Sequence, residues 1–354
     1  MMMPTWEAPS ELWLVRMREM LRGELGVLAC YEAPVKVWEG IEVVDLGRRA
    51  DEASIERGRG ELLEAMRRKR VDRALAHYAS FALRYERELR AAGRVWVHVH
   101  GYDVTWDLKR DGRAVHEAGY RQRVVGMGQW ARVIANSRFT AGRLEREGIG
   151  GVEWKYFGVP VADGPKVHRA GRLRLLYLGR MVDFKGPVEV VRAVGMAVAG
   201  GLDVEMVMAG DGPLLAAVKE EVARLGLGER ARVIGAVDAT TGEELRRWAD
   251  VFVGHHQVGP ESGQEEAFGV AVAEAMGAGL VVCTGRSGSM PELVEHERTG
   301  VLMESGDVAG QAVWLRRLAD AELRGRLGRV AWEVAGRLFS VDAERAALRR
   351  ILGV

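Results

Sequence analysis

Only two cysteines, Cys30 and Cys283, occur in 354 residues, and both lie in apolar, strand-like runs. That excludes a disulfide framework and reads as reduced core thiols in a reducing compartment. No apolar run approaches the ~18 residues that a membrane span needs. The opening MMMPTWEAPSELW lacks the basic-then-apolar layout of a signal peptide, so a cytoplasmic location is expected. A formal net charge of +1 carries no global nucleic-acid footprint. Asn136 is the sole asparagine and arginine far outnumbers lysine. A warm habitat and a GC-rich genome explain that bias equally well. Short repeats and low-complexity tracts are absent as well.

Apolar residues make up 48% of the chain and glycines number 45, which suits an α/β protein with many turns. Short β-branched runs alternate with helical patterns, the sign of parallel strands joined by crossover helices. In the first half the expected strands are Gly26–Tyr31, Ile41–Val44, Arg73–Tyr78, Val95–Val99, Arg132–Ala135 and Val152–Tyr156, with helices over Glu11–Leu21 and Phe81–Ala91. The polar, aperiodic segment Val161–Arg172 reads as a linker. A second series follows: Leu173–Leu178, Val204–Met208, Arg232–Ile234, Val251–Val253, Leu280–Cys283 and Val301–Met303. Pro187 opens the helix after the first of these, where proline fits best. The pattern predicts two doubly wound, Rossmann-like domains, over 1–165 and 166–335, with ligand at strand carboxyl ends in the cleft between them.

The stretch EAFGVAVAEAMGAGLVVCTGRSGSMPELVEHERTG, from Glu266 to Gly300, carries the most information. Glu266 and Glu274 stand with seven residues between them around a Phe-Gly step. A helix beginning near Gly269 would turn the backbone N–H groups of Phe268, Gly269 and Val270 toward an anion. Glu266 would lie in the loop before it, and Glu274 between one and two turns inside. An apolar strand, a small-residue turn and Pro291-Glu292 follow. This array resembles the donor-site signature of retaining GT-B glycosyltransferases, glycosyltransferase family four (glycosyl transferases group one). The plain alternative is an amphipathic helix with two solvated glutamates.

The resemblance implies a GT-B fold, with the final helix, roughly Val341–Ile351 within 336–354, crossing back to the first domain. It implies sugar transfer from a nucleotide-diphosphate donor, UDP- or GDP-linked, to a glycan, lipid-linked or small-molecule acceptor. Charge building on the leaving diphosphate must be stabilised by cations, metals or helix N-termini. No Asp-x-Asp metal motif occurs. LLYLGRMVDFKG (Leu175–Gly186) instead supplies Arg180 and Lys185, which the resemblance assigns to the diphosphate, a rigid fork and a point charge. No metal and no separate cofactor is therefore expected. Met208–Leu214 borders the nucleobase in that family, with Gly210 and Gly212 allowing a sharp turn. Glu266 is assigned to sugar hydroxyls and Glu274 to the ribose. In the first domain His100, at a strand end, is assigned to the sugar, with Asp103 and Ser137 on the acceptor side and Arg138 a further cation. His98, two residues deeper on the same face, reads as a satisfied core histidine.

One departure stands out: where the family has a Gly-Gly loop after its opening strand, this chain reads Glu7-Ala8-Pro9-Ser10-Glu11, after at most a few residues of strand. The run Arg67–Arg70 reads as a solvated helix end suited to the dipole, with peripheral contact to anionic lipid headgroups as the alternative. Trp106 is a candidate for stacking on an acceptor sugar. The rival reading from another class is a metal-dependent hydrolase built on His98-x-His100, although the remaining histidines show no supporting spacing. An epimerase or non-catalytic homologue shares the fold; a phosphorylase lacks its lysine motif here. A dinucleotide oxidoreductase lacks its G-x-G-x-x-G.

Overall fold

The computed structural model describes residues 1–7, 11–104 and 117–354. The chain divides into two compact units. The first comprises the described residues up to Gly158 together with Glu344–Val354; the second comprises Val159–Ala343. The segment read as a linker thus lies within the second unit, and most of the final helix, Val341–Leu352, is built into the first.

In the first unit Arg73–His77, Arg94–His98, Arg132–Ala135 and Glu153–Trp154 form a parallel four-stranded sheet, in that order. Val27–Cys30 pairs in parallel with Ile41–Asp45, which takes an antiparallel partner, Val37–Trp38, absent from the sequence reading. Met2 bridges the two sets, pairing with both Ala29 and Ala76. The expected opening strand is thus reduced to the residues around Met2. Helix Leu12–Met20 buries Trp13, Met17 and Met20, as the spacing predicts. The helix expected over Phe81–Ala91 is two short ones, Ala79–Arg84 and Glu86–Arg90. The final helix is anchored by a fully buried ion pair between Lys155 and Glu344.

The second unit is a six-stranded parallel sheet. Its order is Ala231–Gly235, Val204–Ala209, Leu173–Leu178, Val251–Val253, Val281–Gly285, Gly300–Met303. Chain direction across the sheet reverses between Leu173–Leu178 and Val251–Val253. At such a switch point the connections leave on opposite faces, so a crevice opens beyond the carboxyl ends. The turns after Leu178 and Val253 both begin with glycine and lie at that end. Helix Pro187–Ala199 buries Val190, Val191 and Val194 against the sheet. Among the described residues no helix is long and apolar enough to cross a membrane.

Candidate functional site

The loop after Leu178 carries Arg180, exposed, and Lys185, half-buried. Gly210 and Gly212 let the neighbouring loop close onto it. A Cβ at 210 would lie 1.8 Å from the Gly179 carbonyl, and one at 212 would lie 2.6 Å from that of Met181. Both glycines have positive φ, so other residues would be strained as well as crowded. Gly186 ends the loop in the left-handed region, and Pro187 starts the next helix.

Glu266 approaches from the other side of the switch point. Its Oε2 accepts from Lys185 Nζ at 2.5 Å and lies 3.4 Å from His256 Nε2. Burial alone would push this carboxyl up. The Lys185 ammonium and the His256 ring outweigh it and hold Glu266 well below the usual carboxylate range. Its backbone is fixed too: Ser289 N donates to Glu266 O at 2.9 Å, and a Cβ at Gly288 would lie 2.1 Å from that oxygen. The adjacent Glu265 accepts from Ser287 Oγ and Gly288 N. Lys185, Gly254, His256, Gly269 and Val272 line one small pocket together with Tyr177.

Helix Val270–Gly277 starts beside this pair, with Gly269 at φ 85° as its N-cap and no side-chain cap. Its first N–H groups therefore supply the positive end of a helix dipole next to Glu266 and Lys185. Phe268 packs inward, edge-on to Phe339 with centroids 5.9 Å apart. Glu274 Oε2 faces Arg246 at 3.2 Å, both side chains mostly buried. Two features were not anticipated. Asp183 holds the segment after His256 by accepting from Glu261 N, Ser262 N and Ser262 Oγ. His256 itself is the other, three positions beyond the end of the apolar strand Val251–Val253.

In the first unit the structure changes several assignments. Asp103 is fully buried, and its oxygens accept from Ala79 N at 2.7 Å and His100 N at 2.8 Å. A carboxylate so engaged fixes the His100 loop; it is not presented to an acceptor. Ser137 is fully buried and caps helix Arg138–Arg146 by accepting from Thr140 N, a local role in place of the acceptor contact. Trp106 lies outside the described residues. Tyr78, at φ 68°, holds a backbone conformation rare for a non-glycine residue, and its hydroxyl donates to Glu11.

His98 is not a satisfied core histidine. Neither of its ring nitrogens has a partner among the described residues, although the side chain is fully buried. Nor is it alone: strand register sets His77 beside His98, and His77 Nδ1 lies 3.3 Å from His100 Nε2. One ring nitrogen from each of the three lies within 4.8 Å of the others, so they could hold a metal ion. The expectation of no supporting histidine is thereby corrected. Trp13 covers His100 with centroids 4.1 Å apart, and Phe157 stacks on it at 5.6 Å. Burial, reinforced by nearby positive charge including Lys155, holds all three rings well below the ordinary histidine value.

Residues 163–331 match the family described as "Glycosyl transferases group 1". The N-acetyl-alpha-D-glucosaminyl L-malate synthase of Bacillus anthracis is 30% identical over 162 residues, 45% of this chain and 39% of that protein. The GDP-mannose-dependent alpha-(1-6)-phosphatidylinositol monomannoside mannosyltransferase of Mycobacterium tuberculosis is 27% identical over 264 residues, 70% of this chain and 65% of its own length. The chain thus spans from about two fifths to two thirds of these relatives. Anabaena Alr3699/HepE, solved in complex with UDP and glucose, has a TM-score of 0.77 at 17% identity, covering 99% of this chain and 98% of that one. The sucrose-phosphate synthase of Thermosynechococcus elongatus gives 0.74 at 17% identity, covering 99% of this chain and 97% of that one.

Proposed function

We propose that this chain, whose residues 163–331 match the glycosyl transferases group 1 family and whose fold is GT-B, moves a sugar from a nucleotide-diphosphate donor to an acceptor with retention of configuration. One observation carries the reading: Lys185 and Glu266 meet at 2.5 Å beside an uncapped helix N-terminus, at the switch point of a parallel sheet. Arg180, Lys185 and the first N–H groups of Val270–Gly277 would take the diphosphate oxygens. Fixed positive charge there lowers the barrier to departure of the leaving group without a metal.

Glu266 would accept hydrogen bonds from the sugar hydroxyls, and Glu274 from the ribose. In the first unit His100 is the residue that the family resemblance assigns to the sugar. Glu266 is engaged by Lys185 and His256 and Glu274 by Arg246, so the two carboxylates serve different partners and do not act as an opposed pair across one glycosidic bond. Front-face displacement, with the departing phosphate taking the acceptor proton, fits the residues better. Relatives named for GDP-mannose and for N-acetylglucosaminyl transfer support a UDP- or GDP-linked donor and a glycan, lipid-linked or small-molecule acceptor. The test is a thermal-shift screen of UDP, GDP, ADP and their sugars, followed by NMR of the linkage formed. A stabilising nucleoside diphosphate and a product that keeps the donor's anomeric configuration are expected; an inverted product would refute retention.

A second reading rests on His77, His98 and His100. Neutral imidazoles with one open position are the ligand set of a hydrolytic zinc centre, with nitrogens about 3.4 Å apart around a tetrahedral ion. The 3.3 Å separation of His77 Nδ1 and His100 Nε2 fits. The Lys155 ammonium, close enough to depress all three rings, opposes a cation there. Hydrolysis that requires added zinc and fails in His77→Gln would favour this reading.

A further inference from the structure

We propose that Thr284 and His256 form a relay that orients the Glu266 carboxylate, making His256 a positioning residue of the donor site. The inference rests on the assignment of Glu266 to the donor sugar. Its geometry stands by itself.

His256 is almost fully buried, and each ring nitrogen faces one group. Nδ1 lies 2.7 Å from Thr284 Oγ1, and Nε2 lies 3.4 Å from Glu266 Oε2. The close approach depends on two glycines. A Cβ at Gly254 would press on His256 Cε1 and Nδ1 at 3.1 Å, and one at Gly285 would lie 2.2 Å from the His256 carbonyl. An ionised carboxylate only accepts hydrogen bonds, so His256 Nε2 must carry the proton. Burial holds the His256 ring below the ordinary histidine value, so it is neutral at pH 7. Nδ1 is then an acceptor, and the Thr284 hydroxyl must donate to it. Thr284 thus fixes the tautomer, and the tautomer fixes which way His256 addresses Glu266. Outer hydrogen bonds orient an inner histidine in the same way at metal sites.

The consequence falls on one oxygen. Lys185 and His256 both engage Oε2, from two directions. With Oε2 engaged by both, Oε1 is the oxygen left to meet sugar hydroxyls. Lys185 alone would allow the carboxylate to rotate about the ion pair, especially once phosphate oxygens compete for the ammonium. The Nε2–Oε2 contact is long for a hydrogen bond, so it contributes direction more than strength.

Nitrogen-15 NMR of the wild-type protein reads the tautomer directly and needs no activity. Protonation at Nε2 is expected, and a proton on Nδ1 overturns the relay. If the chain transfers sugar, Thr284→Val should lower kcat about tenfold with donor KM and melting temperature little changed, while Thr284→Ser should keep wild-type turnover. His256→Gln, which retains a donor near the Nε2 position, should outperform His256→Leu. In a Glu266→Gln background Thr284→Val should have no further effect. Equal losses in Thr284→Ser and Thr284→Val, or full additivity with Glu266→Gln, would overturn the proposal. Absence of transfer in the wild type, with the Nε2 tautomer present, would instead count against the donor-site reading.

Discussion

Lys185 Nζ and Glu266 Oε2 lie 2.5 Å apart although 81 residues separate them in sequence. Each sits at the carboxyl end of the sheet, on opposite sides of the switch point, and each holds the other's charge in a partly buried place. Removing the ammonium leaves burial to dominate Glu266. In Lys185→Ala the carboxyl should rise from well below the usual range, so the acid limb of the kcat profile should move to higher pH. An acid limb unchanged from wild type would show that the pair does not control the carboxylate.

The two glutamates should separate kinetically. Glu266→Ala should depress turnover far more than nucleotide affinity, because sugar contacts tighten as the bond breaks. Glu274→Ala should raise the donor KM with kcat nearly intact, since ribose contacts change little between ground and transition states. Arg246, 3.2 Å from Glu274, should show the same pattern when changed to Ala. The reverse pattern would mean that the two carboxylate roles are exchanged.

In the first unit His100→Ala should bind nucleotide normally and lose most sugar transfer. His98 differs, because its two ring nitrogens are buried without partners among the described residues. Replacing an unsatisfied polar group by an apolar one is neutral or stabilising, so His98→Leu should hold or raise the melting temperature. A drop of several degrees in metal-free buffer would show that the ring has a partner in solution.

The same cluster sets a pH dependence of stability. His77, His98 and His100 stay neutral in the folded chain well below 6.5, whereas the unfolded chain takes up their protons near that value. Protons therefore favour the unfolded state, and stability should fall as pH drops through 6.5. Burial raises Asp103 to about 6, which works the other way between there and its unfolded value. His168, His255 and His256, also held low by burial, act in the same direction as the cluster, so denaturant midpoints should decrease from pH 7 to pH 5. His77→Gln should flatten that slope; a midpoint independent of pH would contradict the burial account.

Much of the second unit was legible because its strands are continuous apolar runs between glycine turns. Leu173–Leu178 and Val251–Val253 have the expected bounds. Lys185 and Glu266 were legible through their resemblance to a known signature. His256 was not, although two histidines directly after VFVG, at the end where ligands collect, were a readable signal. The partnership of His77 with His98 depends on strand register, which spacing along the chain does not encode. The local roles of Ser137 and Asp103 are hidden in the sequence for a different reason. Serine and aspartate at strand ends cap helices and turns as readily as they bind ligands, and here they are spent on backbone N–H groups.

The most direct measurement is calorimetric titration of UDP and GDP, in EDTA, into the wild-type protein and an Arg180→Ala/Lys185→Ala double variant. Two charge-assisted contacts to a diphosphate are worth about 3–6 kcal/mol together. At least one nucleotide should therefore bind the wild type without metal, and the double variant should lose roughly a hundredfold or more in affinity. Equal affinity in the two proteins, or wild-type binding that appears only with manganese or magnesium, would contradict a donor site built on fixed cations.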